Sequence, residues 1–123
     1  MTTWTSDELS KIGDAEELHL ASRRRDGSLR GPVTMWVVPD GDDLYVRSVN
    51  GRESHWFRGV QDRHEAHIGA GGVEKDVDLI ETDDVNDEVD TAYRTKYGGR
   101  YASIVPSIVT PEARAATLKL VPR

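Results

Sequence analysis

The chain has 123 residues and a formal net charge of −6, a length that suits one domain over residues 1–123 with a single core. The acidic balance argues against nucleic acid or an anionic membrane as a partner, since both call for basic surface. Without cysteine the chain has no disulfide framework, thiolate nucleophile or thiolate metal site. The N-terminal residues lack a basic start and an apolar stretch, and no run approaches the ~20 apolar residues of a membrane span; a cytoplasmic, unexported protein is expected.

Thr5-Ser6-Asp7-Glu8 reads as a capping box, with Trp4 and Leu9 placed as a hydrophobic staple, so a short helix should run from Thr5 to about Gly13. Glu17 to Ser22 alternates with Leu18 and Leu20 on one face, and Asp26-Gly27 suits a hairpin turn. Val33 to Val38, with Met35 and Trp36 inside it, predicts one well-buried strand ended by Pro39-Asp40-Gly41, and Leu44 to Val49 predicts the third strand. Ser54 to Gln61 carries Trp56, Phe57 and Val60 at helical spacing, with Ser54 as cap.

Ala66 to Ala70 and Val73 to Ile80 form a hairpin about Gly71-Gly72, with Val73, Val77 and Leu79 on the face of the Lys75 stem. Asp84 to Tyr97 reads as a helix that starts on acidic residues and stops at Gly98-Gly99. Thr110-Pro111-Glu112 starts another, and Thr117 to Val121 is the last strand. Five or six antiparallel strands and three or four short helices make a small α+β barrel.

Strand periodicity sends Arg47 and Ser48 to opposite sides. Ser48 shares the inner face of Leu44 and Val46. Arg47 shares a face with Tyr45 and Val49 that is too apolar to be wholly solvated, so a partner helix or a partner subunit should cover it, and a homodimer is the expectation. The alternative for Arg47 is a solvated charge at an edge. Asn50-Gly51 followed by Ser54 makes an ordinary capped turn. In the company of Arg47, Arg52 and Arg58 the same turn also suits phosphate or carboxylate, although Glu53 opposes that. His64 and His67 face opposite ways on a strand and lack a metal-site spacing, and the acidic residues from Asp83 to Asp90 lack a calcium-loop pattern. Gly69 to Gly72 precedes a strand, which suits a hairpin and not a nucleotide loop. No residue stands out as a nucleophile or as half of an acid–base pair.

Four segments carry a family resemblance: Val46 to Gly51, Trp56 to Gly59, Gly71 to Val77 and Pro111 to Leu118. With them the chain resembles the small proteins of domain-of-unknown-function family 2255. More distantly its layout is similar to the flavin-binding split barrels of the pyridoxamine 5′-phosphate oxidase superfamily and their deazaflavin-dependent nitroreductase branch. That resemblance implies an antiparallel six-stranded split β-barrel with short peripheral helices, forming a homodimer with FMN or a deazaflavin between subunits. Ser48, Asn50, Gly51, Arg52 and Ser54 would then stand on the phosphate side, and Pro32, Val33, Thr34 and Met35 along the isoalloxazine ring. Arg47 and Trp56 complete the candidate site. The implied activity is that of an oxidoreductase on a small molecule. A non-redox ligand-binding protein or cofactor-free enzyme using the same groove is the alternative. Where the oxidases carry a Ser, Arg and Lys run, this chain has Arg52, Glu53 and Ser54.

Overall fold

The computed structural model describes residues 3–123. The capping box of α1 (Ser6–Gly13) is formed in full, with the Thr5 and Glu8 side chains each accepting from the other's backbone N–H. Trp4 packs in the core beside partly buried Leu9 and donates its indole N–H to the Leu120 carbonyl at 2.9 Å. Seven strands follow: β1 (Leu18–Ser22), β2 (Val33–Met35), β3 (Val38–Asp40), β4 (Asp43–Arg47), β5 (Glu65–Ala70), β6 (Val73–Glu81) and β7 (Thr117–Pro122). Three further helices lie between them, α2 (His55–Val60), α3 (Asn86–Tyr97) and α4 (Pro111–Arg114). Ser54 and Thr110 cap α2 and α4 as their side-chain oxygens accept from Phe57 and Ala113 N–H.

The strands form one antiparallel sheet in the order β2-β1-β5-β6-β7-β4-β3. Period two sends Leu18, Leu20, Leu44, Val46, Ile68, Val77, Leu79, Leu118 and Leu120 to the inner face, where each is essentially fully buried. Register brings them together, with Leu20 opposite Ile68, Leu44 opposite Leu120 and Val46 opposite Leu118.

The predicted strand from Val33 to Val38 is a correction. Its two ends are separate three-residue strands on opposite edges of the sheet, so the sheet has seven strands where six were expected. Because β2 and β3 are joined by only Trp36 and Val37, the sheet must curl until its edges meet, which makes the split barrel. The Val37 N–H finds no ladder partner at this break and donates to Tyr97 Oη at 3.3 Å, while the Val37 carbonyl accepts from Tyr97 Oη at 3.2 Å and Lys96 Nζ at 2.6 Å. Thus α3 satisfies the backbone where the sheet cannot. Trp36 accordingly lies outside the barrel core, half-buried against α3. The third predicted strand also stops at Arg47, short of Val49.

A second, smaller core joins Val38 and Tyr45 on the outer face of β3 and β4 to Val89, Tyr93 and Tyr97 of α3, and to Val105 and Ile108 of a 3₁₀ turn. The apolar second face of β4 is therefore covered by the chain's own helix. Among the described residues no helix is long and apolar enough to cross a membrane.

Candidate functional site

A cleft of about 310 Å³ opens where the sheet edges meet. Thr34, Met35 and Trp36 form one wall, as β2 leaves its pairing with β1. The floor comes from the exit of β4, Arg47 to Asn50, together with Ser54 and Trp56 at the start of α2. Ile104, Ser107 and Ile108 of the 3₁₀ segment and exposed Glu17 complete the lining.

The polar end is built by the turn between β4 and α2. Ser48 is fully buried, and its Oγ lies 2.6 Å from Ser54 Oγ. Gly51 has φ +75, and a Cβ there would come within 3.2 Å of the Glu112 carbonyl oxygen. Glycine is thus required both by the left-handed backbone and by the contact with α4. Its neighbour Asn50 turns into the cleft.

Arg47 lines the cleft, but its guanidinium points into the second core. Nε donates to Thr117 Oγ1 at 2.9 Å, and the two terminal nitrogens donate to Asp90, the Ile108 carbonyl, and the carbonyl and side-chain oxygen of Asn86. Those acceptors engage all five N–H groups of the fork. Arg52 leaves the cleft for the other side of the turn, donating to Glu81 at 2.6 Å and to the Ala115 carbonyl at 3.2 Å. Arg58 is exposed on α2 and does not border the cleft.

Of the eleven candidate residues, the cleft brings together Thr34, Met35, Arg47, Ser48, Asn50, Ser54 and Trp56. Gly51 shapes the turn behind them. Pro32 borders a separate depression on the outer face of β1 and β5 with His19 and His67, and Val33 borders another with Arg24 and Arg30. His64 and His67 have separate partners, Glu81 for the first and Asp76 with Glu74 for the second.

The aromatic wall was missed in the sequence. Trp36 stacks on Tyr97 with centroids 4.0 Å apart and planes 7° from parallel, with Tyr101 tilted 5.4 Å away. Tyr93, Tyr97 and Tyr101 recur every four residues, a stripe along α3 and just past its end that was available as a signal. Burial pushes the Tyr97 phenol up to about 12 and the Lys96 ammonium down to about 8. Neither group borders the cleft, where Glu17 is the one carboxylate among the described residues.

The model of a family described as an uncharacterized protein conserved in bacteria (DUF2255) matches residues 8–120. The chain belongs to that family. No curated protein matches it. Among solved structures, a conserved hypothetical protein from Mycobacterium tuberculosis is 13% identical with a TM-score of 0.68, over 99% of this chain and 82% of that one. An F420-H2 dependent reductase (FDR-A) is 13% identical with a TM-score of 0.59, over 86% and 93%. A FAD-binding protein from Mesorhizobium loti is 14% identical with a TM-score of 0.58, over 98% and 91%. At these identities the DUF2255 chain shares with them the split-barrel fold and its curled antiparallel sheet.

Proposed function

We propose that the seam cleft holds the planar ring of a flavin or deazaflavin, and that the protein is a cytoplasmic oxidoreductase acting on a small molecule. One observation carries this reading: the cleft combines apolar and aromatic surface with the hydroxyl and amide groups of the β4–α2 turn. Met35, Trp36, Trp56, Ile104 and Ile108 supply the apolar surface, and Ser48, Asn50 and Ser54 the polar groups. Its volume stands at the low end for small-molecule sites, enough for a ring system and too small for a whole dinucleotide. That similar folds belong to an F420-H2 dependent reductase and a FAD-binding protein supports the choice of ring.

Thr34 and Met35 would lie along the ring and Ser48, Asn50 and Ser54 would orient its polar edge. The bound ring supplies hydride chemistry, so the protein needs only to orient it and exclude water. The residues fit the ring better than they fit a phosphate, because Arg47 and Arg52 are both engaged by carboxylates.

A homodimer belongs to the same proposal. Val49 and Ile104, both bordering the cleft, are 47% and 49% exposed, and a second copy laid over them would close the open side. Titration with FMN and with a deazaflavin, followed by visible absorption, tests the reading. Saturable binding with a shifted band is expected. Binding of neither at millimolar concentration would remove the redox function and leave the cleft to a non-redox ligand.

A further inference from the structure

We propose that this cleft takes an uncharged planar heteroaromatic ring and draws no affinity from a phosphate attached to it, because every guanidinium at its polar end is already neutralised within the protein. The inference rests on the ring-binding reading above and narrows it to a ligand class.

Charge accounting carries the argument. Arg47 is the one cation that borders the cleft among the described residues. Its fork is buried and satisfied, with Asp90 as counter-ion and four further acceptors. To turn one N–H toward a ligand it would have to leave a buried carboxylate, and such pairs resist being broken. Arg52, the other cation of the turn, is held by Glu81 and the Ala115 carbonyl, with its guanidinium 5.2 Å from the Phe57 ring. Exposed Glu17 meanwhile adds negative charge to the lining. A phosphate entering here would shed water without gaining a free cation, whereas an uncharged ring would shed little.

The grip on such a ring is preformed. Trp36 is fixed by its parallel stack on Tyr97, whose phenol is itself tied to the Glu16 carbonyl at 2.8 Å and the Val37 carbonyl at 3.2 Å. Trp56 is set by edge contact with Phe57 at 5.8 Å. Two immobilised indoles lose little freedom on binding, which favours a flat ligand over a flexible charged one.

Parallel titrations of the intact protein with riboflavin and FMN, at low and high salt, test this. Dissociation constants within roughly threefold of each other, or riboflavin the tighter, with no fall in FMN affinity as salt rises, are expected. FMN tighter by tenfold or more, with a grip that weakens with salt, would overturn the inference and leave the ring-binding reading standing, since a charge-assisted contact gives about that factor. If neither ligand binds, the inference falls, and the ring-binding reading falls with it only if the deazaflavin also fails to bind. Trp56→Leu, which leaves the Trp36 stack untouched, should weaken the two flavins by the same factor of roughly tenfold. A loss confined to FMN would place Trp56 on the phosphate and contradict the proposal.

Discussion

Arg47 ties β4 to three other parts of the chain. Its acceptors on Asn86, Asp90, Ile108 and Thr117 belong to α3, the 3₁₀ turn beside the cleft and β7. Arg47→Met would leave Asp90 buried beside only Arg114 at 3.5 Å, and removing one partner of a buried pair costs about 3–5 kcal/mol. Arg52 by contrast makes an exposed pair, and Arg52→Ala should cost under about 1 kcal/mol. Chemical denaturation of the two variants checks the ordering, and equal losses would contradict the structural role given to Arg47. The sequence showed that the Tyr45 and Arg47 face needed a cover, because alternation is local information. It could not show which acceptors would meet the guanidinium, because they lie 39 to 70 residues away along the chain.

At the scale of elements, turn chemistry and caps were the most legible features. The capping box of α1, the Ser54 and Thr110 caps and the Gly71-Gly72 hairpin all rest on neighbouring residues. The break between β2 and β3 was illegible, since Val33 to Val38 is uniformly apolar or β-branched and the partners of Val37 come from α3. The β5–β6 turn also carries a tertiary contact that no local pattern shows. A Cβ on Gly71 would sit 2.1 Å from the Lys11 carbonyl oxygen, whereas one on Gly72 would meet nothing within 4 Å, and both residues have positive φ. Gly72→Ala should therefore cost ~1–2 kcal/mol of backbone strain alone, and Gly71→Ala clearly more, because α1 must shift. Thermal melts of both variants read this difference, and equal midpoints would mean that the turn does not dock on α1.

The same hairpin gives a pH dependence. His67 in β5 faces Asp76 and Glu74 in β6, and hydrogen bonds to Asp76 first and Glu74 second raise its pKa above the ordinary 6.5. The bond from His67 likewise holds the Asp76 carboxyl below 3.8. A raised histidine stabilises fully below its unfolded value and loses that contribution as pH climbs through the folded one; a depressed aspartate stabilises above its unfolded value and loses it in acid. The pair is thus strongest between about pH 4 and pH 6.5. His67→Asn should lower the melting midpoint more at pH 5.5 than at pH 9, and a loss independent of pH would rule the ion pair out as a source of stability.

For the whole molecule, the topology puts two sheet edges, one helix start and a 3₁₀ turn around a single cleft. A small α+β barrel was readable from the alternating segments and the β4–α2 turn from the contiguous run Leu44 to Val60, while the split barrel came from the family resemblance. The aromatic wall was not readable, since Trp36 and Tyr97 meet only once the sheet has curled and α3 has packed on its outside. In the proposal, a second copy covers the open side of the cleft, which exposed Val49 and Ile104 border. Light scattering at tens of micromolar should report a dimer, and a monomer would remove the second copy from the account.

The three tryptophans offer the most direct test of where the ligand sits. Trp36 and Trp56 border the cleft, while Trp4 is buried in the barrel with its indole N–H on Leu120. In a nitrogen–proton correlation spectrum each indole gives its own signal. Titration with riboflavin should move the Trp36 and Trp56 signals in a saturable way and leave that of Trp4 in place. Saturation with the Trp4 signal moving instead, or with all three unmoved, would contradict the assignment of the seam cleft as the binding site.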